Sequence, residues 1–327
     1  MSRKIFGTIR NRSNGDTPVP GLKVQAWDDD WPEGDDFMGE DITDANGRYE
    51  IRYPDGIWDG SIFELTTSRP DIYISVDIRN SSGGWVRLGK SQVFRDHDLS
   101  VDLNIDLAVN IEPPIARKTT FVPSQHGFHF RNYFQLQPDL LGVDLGTWEM
   151  GFCGGMCAAS WNRFVSNTAI PAHMQPPAED TLLFEELLAR QIKTTPPDLL
   201  ARLYDWQSAP NVSSLWRKPS IAQRTKREWP LLKKELDNDR PAILVLIRAN
   251  GYFDNPTKNH QVLAIGYEYD PTTKDLVIQE YDPNLPDKIN TLSMNLGMPD
   301  GRLYLKDSSR SRTRGFLVNS VGLAASQ

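Results

Sequence analysis

Gly151-Phe152-Cys153-Gly154-Gly155-Met156-Cys157-Ala158-Ala159-Ser160-Trp161 is the stretch on which the reading of this chain turns. Two glycines directly follow a cysteine, and small and apolar residues follow them. The pattern predicts a tight backbone turn that opens into a buried helix. A thiol at such a helix start sits by the positive end of the macrodipole and near unpaired N–H groups, which favour the thiolate. A thiolate there can attack a carbonyl, and the same N–H groups can stabilise the oxyanion that forms. Glycine permits close backbone approach, so a substrate carbonyl is expected to reach this spot. Cys157, one helical turn further in, is expected to pack as a small apolar residue.

Two further residues complete a chemical set. His260 stands at the start of the strand pattern Gln261-Val262-Leu263-Ala264-Ile265-Gly266-Tyr267, and Asp282 ends the pattern Leu276-Val277-Ile278-Gln279-Glu280-Tyr281. Two neighbouring strands joined by the turn at Asp270-Pro271 bring the start of one beside the end of the next. In that geometry His260 takes the thiol proton, Asp282 fixes the imidazole tautomer, and Cys153 attacks. His97, His126, His129 and His173 have weaker settings. Cys153, Cys157, His260 and Asp282 are also suitable ligand types for zinc, but two cysteines three residues apart into a helix do not make a zinc knuckle. No metal and no cofactor is therefore assigned.

At 327 residues the chain has room for two domains, each with its own core. A formal charge of −7 without a basic cluster beyond the short Ser308–Arg314 stretch argues against nucleic acid as a partner. No apolar run is long enough to span a membrane. Met1-Ser2-Arg3-Lys4-Ile5 runs into a strand pattern with no apolar signal region. The expectation is a cytoplasmic protein, with export by a signal-independent route as the alternative. The cysteines, four positions apart, would point the same way from a helix, which suits free thiols in a reducing compartment.

From Lys4 to about Leu107 the sequence alternates with period two. Leu22, Val24 and Ala26 do so, as do Tyr49, Ile51 and Tyr53, then Ile72 to Ile78, then Val101 to Leu107. Each reads as a strand with one buried and one wet face, and Asn14-Gly15, Asn46-Gly47 and Gly83-Gly84 supply turns. Residues 1–110 are thus expected to form a small antiparallel β-sandwich. The acidic run Asp28 to Asp36 offers carboxylates to calcium, but without EF-hand spacing it is read as a solvated loop. Pro18-Val19-Pro20-Gly21-Leu22-Lys23-Val24-Gln25-Ala26-Trp27-Asp28, Met38-Gly39-Glu40 and Thr43-Asp44-Ala45-Asn46-Gly47-Arg48-Tyr49 resemble the transthyretin-like domains found beside many bacterial enzyme domains. That resemblance implies an accessory module whose partner is a protein or a carbohydrate.

Ile111-Glu112-Pro113-Pro114 and the polar residues after it read as a linker over 111–124. A second domain, 125–327, follows with an aromatic segment from Phe128 to Phe134. Helices are predicted over 179–193 and 198–206, and another beginning at a capping box of Thr225 and Glu228. Ala242-Ile243-Leu244-Val245-Leu246-Ile247 suits a central strand. Further strands are expected over 261–269, 275–281, 302–305 and 316–318, giving an α+β domain with a mainly antiparallel sheet.

Cys153-Gly154-Gly155-Met156-Cys157, His260-Gln261-Val262-Leu263-Ala264 and Tyr281-Asp282-Pro283-Asn284 are similar to the papain-like cysteine peptidase superfamily, in particular its bacteriocin leader peptidase branch. Glu228-Trp229-Pro230-Leu231-Leu232, leading to Arg240-Pro241, adds to the likeness over roughly 125–320. The resemblance implies a multidomain protein: a transthyretin-like all-β sandwich followed by an α+β papain-like cysteine hydrolase domain. It also implies cleavage of an amide bond in a peptide or protein substrate, through an acyl-enzyme on Cys153. Such enzymes usually carry a glutamine just before the nucleophile as oxyanion donor. Thr147 to Phe152 holds none, and Gln135, Gln137 and Asn132 are the upstream candidates. Deamidase, transglutaminase or acyltransferase chemistry uses the same triad. A binding protein with an inactive papain-like domain is the reading from another class.

Overall fold

The computed structural model describes residues 3–29, 34–53, 69–98, 101–136, 139–140, 143–144, 148–213, 218–299, 301, 303 and 305–319. The chain divides into two compact units, Met1–Pro114 with Asp270–Lys274, and Ile115–Tyr269 with Asp275–Gln327. It is a sheet-rich, mixed protein with several separate sheets.

In the first unit the labelled strands are β1 (Arg3–Asn11), β2 (Lys23–Asp28), β3 (Asp36–Ile42), β4 (Arg48–Tyr53), β5 (Ile72–Arg79) and β6 (Trp85–Lys90). One sheet has the antiparallel order β3-β2-β5-β6, and β1 pairs antiparallel with β4 in the other. Ile5, Val24, Ala26, Ile51, Ile74 and Val76 from both sheets share one core. Period-two alternation explains which face each strand turns inward.

Three expectations for this unit need correction. The period-two pattern of Val101 to Leu107 does not make one strand. It forms two short pieces, Leu103–Asn104 and Leu107–Val109, and both pair parallel with β1, so the unit is not purely antiparallel. The break falls where the Asp106 carboxylate accepts the Thr8 N–H at 2.7 Å, replacing a backbone partner. Second, β5 has no wet face over its first six residues. Ser75 takes the Trp27 indole N–H at 2.9 Å, Asp77 pairs with Arg87 at 2.5 Å, and Tyr73 bonds Asp35 under the Lys90 ammonium. Long neighbouring side chains cover the polar face of a central strand. Third, Asp28 is no solvated loop residue: it ends β2, is buried, and accepts the Asp71 N–H at 2.7 Å. Residues 30–33 of the same acidic run lie outside the described residues.

The second unit contains β7 (Ile115–Lys118), α1 (Cys153–Val165), α2 (Leu182–Lys193), α3 (Pro197–Gln207), α4 (Ile221–Asp237), β8 (Ala242–Ile247), β9 (His260–Tyr269), β10 (Asp275–Tyr281), β11 (Asn290–Asn295) and β12 (Gly315–Val318). The antiparallel sheet runs β11-β10-β9-β8-β12, with Lys306–Asp307 beyond β11. β9 is long enough to use one edge twice: His260–Ala264 pairs with β8, and Gly266–Tyr269 pairs with β7. Residues 115–118, expected to be linker, are therefore a strand of this sheet. Pro113-Pro114 stops just short of it, and Ile115 to Lys118 have free donors for pairing.

Helices cover both faces of the sheet. Ile243, Leu263 and Ile265 pack against Cys157, Ala158 and Trp161 of α1. Val245, Ile247 and Leu317 pack on the same side against Leu199, Leu203 and Trp206 of α3. On the opposite side Leu244, Val262 and Ala264 meet Trp229, Leu232 and Leu236 of α4. Burial from both sides accounts for the unbroken apolar run of β8. α4 starts four residues before the expected capping box, because Ser220 is its cap and accepts the Gln223 N–H at 3.1 Å. Thr225 and Glu228 sit inside the helix, and Glu228 instead takes the Val318 N–H of β12 at 2.8 Å. β11 was not foreseen. The expected strand over 302–305 lies partly outside the described residues, and Leu305 makes only an isolated bridge to Thr313.

Candidate active site

The site is assembled from one helix start and two strand ends. Cys153 is the first residue of α1, with Phe152 as its cap. The glycines make no turn before the helix: Gly154 and Gly155 are its second and third residues. Their bare Cα atoms also meet protein, not open space for a substrate. A Cβ on Gly154 would lie 2.4 Å from both the Gln261 amide and the Thr194 hydroxyl. One on Gly155 would lie 2.2 Å from the Leu187 carbonyl of α2. The glycines thus let α2 and β9 press onto the helix start, which corrects the sequence expectation. The Gly155 N–H is capped by Gln191 at 3.0 Å.

β9 begins at His260, opposite Leu246 of β8. Just before it, the Asn259 side-chain oxygen accepts the Arg248 and Ala249 N–H groups at 2.9 and 3.1 Å, fixing the strand entry. Since Leu263 pairs with Tyr281, the start of β9 and the end of β10 coincide, and His260 Nε2 lies 2.6 Å from Asp282 Oδ1. The same carboxylate oxygen accepts the Asn284 N–H at 2.8 Å. With Nε2 on the carboxylate, Nδ1 is the ring nitrogen left for Cys153, and the thiol and the imidazole shift each other's pKa. The Gln261 N–H, next along β9, donates to Cys153 Sγ at 3.3 Å. All three sequence-selected residues are therefore together and buried.

Their electrostatics follow from this packing. Burial alone would push the Cys153 thiol up, but the His260 hydrogen bond and charge outweigh it. With the Gln261 and Gly154 N–H donors, they hold the thiol below its ordinary value. Burial disfavours the His260 cation, yet bonds to Asp282 and Cys153 and their charges push its pKa up to about 10. Burial likewise opposes ionisation of Asp282, and the His260 bond, its charge and the Asn284 N–H reverse this and keep the carboxyl low. Both shifts, Cys153 down and His260 up, act in the direction of a thiolate–imidazolium pair. Cys157 behaves oppositely: desolvation pushes its thiol well up, and Sγ sits 3.7 Å from the Gln261 carbonyl in an apolar cluster. It does not join Cys153 as a ligand pair. Among the described residues no group of three or more His, Cys, Asp and Glu side chains is placed to hold a metal ion.

Asn132 is the supporting residue that sequence reasoning only named as one of three. Its side-chain oxygen accepts the Phe152 N–H at 2.5 Å and its amide donates to Asn284 Oδ1 at 3.1 Å. Its own N–H reaches the Pro283 carbonyl at 3.0 Å. It thereby ties the helix start bearing Cys153 to the turn bearing Asp282. Gly151 admits it, since a Cβ there would lie 2.7 Å from the Asn132 amide nitrogen. Gln135 is exposed, and Gln137 lies outside the described residues. A second network was missed altogether: Asn319 donates to the Thr194 carbonyl and to Gln261 Oε1, and the Gln261 amide donates to Thr195. Only contacts across more than 50 residues reveal it. The other histidines serve locally: His126 accepts the Val122 N–H at 2.8 Å, and His129 pairs with Asp287 at 2.6 Å.

The sequence matches no family model and no curated protein. Among solved structures it is similar to a 9R-lipoxygenase from Cyanothece PCC8801, at 16% identity and a TM-score of 0.25, over 89% of this chain and 42% of that one. It is also similar to the dioxygenase domain of a dioxygenase carbohydrate-binding protein fusion from Streptomyces sp. SirexAA-E. There the identity is 14% and the TM-score 0.20, over 34% of this chain and 80% of that one. The chain spans less than half the length of the lipoxygenase. TM-scores this low carry no conclusion about fold or chemistry. Among the described residues no helix is long and apolar enough to cross a membrane.

Proposed function

We propose that this protein is a thiol-dependent hydrolase that cleaves a peptide or related amide bond through an acyl-enzyme on Cys153. The observation that carries this reading is the buried Cys153 thiol at the start of a helix, with its pKa lowered by His260, which is itself bonded to Asp282. In it the second unit is a papain-like α+β domain, and the first is a transthyretin-like sandwich that positions a protein or carbohydrate partner.

The Cys153 thiolate attacks the scissile carbonyl carbon. The oxyanion draws on N–H groups at the start of α1. The imidazolium of His260 gives its proton to the departing amine, and the C–N bond breaks. Water, deprotonated by His260, then releases the acid and restores the thiol. Asp282 stays ionised throughout and holds the ring in the required tautomer.

Deamidation, transglutamination and acyl transfer use the same steps with a different amide or acceptor. An inactive binding domain has no need of a lowered thiol pKa beside an oriented imidazole. The deciding experiment is incubation with a peptide library and an amine acceptor, followed by mass analysis. Cleaved peptides support hydrolysis. A gain of about one mass unit, or of the amine, reassigns the chemistry. No product from wild type that is absent in Cys153→Ala overturns the reading.

A further inference from the structure

Behind the triad lies a buried carboxyl that the mechanism above does not use. Glu280 is on β10, two residues before Asp282, and its side chain is fully buried. Neither of its oxygens has a hydrogen-bond partner among the described residues, and the same holds for Oδ2 of Asp282. Asn290, cross-strand from Glu280 on β11, is buried with its side-chain N–H₂ unpartnered, as is Nε of Arg248. Arg248 itself is anchored on the buried Asp307 at 3.1 Å. Three acceptor atoms and two donor groups thus lack partners around one strand end. Buried polar groups in that state cost free energy and are ordinarily satisfied through water.

We infer that Glu280 is a positioning residue of the Cys153 site: as the neutral acid it supplies, through one bridging water, the hydrogen bond that the free oxygen of Asp282 lacks. The water accepts from the Glu280 carboxyl O–H and the Asn290 amide and donates to Asp282 Oδ2, a set of three bonds typical of a buried water. The titratable and charged groups facing Glu280 are Asp282 at the end of its own strand, His260 on β9, Asp307 beyond β11, Arg248 after β8 and the Cys157 thiol of α1. Burial first, then the Asp282 and Asp307 charges, push its carboxyl up to about 8, against the opposing pull of His260 and Arg248. Below that pH it is a donor. Above it, the donor is lost and a second negative charge stands beside Asp282.

This inference rests on the proposed thiol chemistry, and its test separates the two. The rate of Cys153 alkylation by iodoacetamide is measured from pH 5 to 9.5 in the full-length protein and in Glu280→Met and Glu280→Gln, with thermal melting alongside. Wild-type Cys153 should react fast at pH 6. Glu280→Met, which removes the donor, should react about tenfold more slowly there, the size of one hydrogen bond to a charged group. Glu280→Gln keeps a donor and should stay within about threefold of wild type, while losing a wild-type inflection near pH 8. Above pH 8, where it replaces a buried charge, Glu280→Gln should melt no lower than wild type. If wild-type Cys153 is no faster at pH 6 than an ordinary thiol, the thiol reading fails and Glu280's role falls with it. If wild type is fast and Glu280→Met matches it, or Glu280→Gln is as slow as Glu280→Met, or the inflection survives in Glu280→Gln, only the role of Glu280 is overturned. Should Glu280→Met fail to fold, the inflection in Glu280→Gln decides alone.

Discussion

At the residue scale, the two cysteines show how four positions of sequence separate opposite chemistries. Cys153 receives two N–H donors and an imidazole, whereas Cys157 sits among Phe121, Trp161, Ile243 and Leu263. A thiolate-directed alkylating agent at pH 5.5 should therefore label Cys153 on the order of 100-fold faster than Cys157. Peptide mapping of the labelled protein checks this, and faster labelling of Cys157 would reverse the assignment. Cys157→Ala should keep most activity and lose about 1 kcal/mol of stability, the scale of deleting one buried heavy atom. Asp282→Asn should fold and yet lose turnover by roughly 10³–10⁴-fold, since the amide no longer orients the imidazole. A variant of near wild-type turnover would mean that Asn284 or a different group orients the base.

At the element scale, the helix start is held by backbone contact. α2 lies so close to α1 that Gly155→Ala would drive a methyl group into the Leu187 carbonyl. Because backbone cannot yield as a side chain can, this change should cost about 1–3 kcal/mol or more and lower Cys153 reactivity in parallel. Chemical denaturation and labelling of the variant test both. These elements also show what a sequence discloses. The period-two alternation of Tyr49–Tyr53 and the apolar run of β8 gave strands at once, because burial on one face or two leaves a direct mark. His260 and Asp282 were found because strand ends can be counted. Other features left no local mark. The function of Gly154 and Gly155 depends on what packs against them, Asn132 gains meaning only from Phe152 and Asn284 far along the chain, and Glu280 only from the strand pairing that sets Asn290 opposite it. Thr225 and Glu228 mimicked a cap that Ser220 provides, since both sites fit the same short pattern.

At the scale of the whole molecule, the buried site makes stability depend on pH. Glu280 moves from an ordinary 4.5 up to about 8, and His260 from 6.5 up to about 10. Both groups bind their proton more tightly when folded than when unfolded. Their favourable contribution is complete below the unfolded values and disappears as pH rises through the folded ones. The lowered pKa of Cys153 acts the other way: its contribution is present above the unfolded value and is lost as pH falls through the folded one, so it offsets part of the His260 effect. The melting temperature should thus fall between pH 5 and pH 8, and Glu280→Gln should fall less, so the gap between them widens with pH. Parallel curves would mean that Glu280 ionises as easily in the folded protein as in the unfolded chain.

Asn132 joins the backbone of Phe152 to the turn at Pro283 and Asn284, while Gln261 reaches back to Cys153. The segments so joined are 20, 152 and 108 residues apart in the chain. Contacts of such sequence separation form late, because closing long loops costs entropy before any contact returns it. A nascent or refolding chain can complete α1 well before the thiol meets its donors. During refolding, ellipticity should recover first and fast Cys153 alkylation only afterwards. The protein would then carry its own delay, acquiring a reactive sulfur only once its second unit has finished folding.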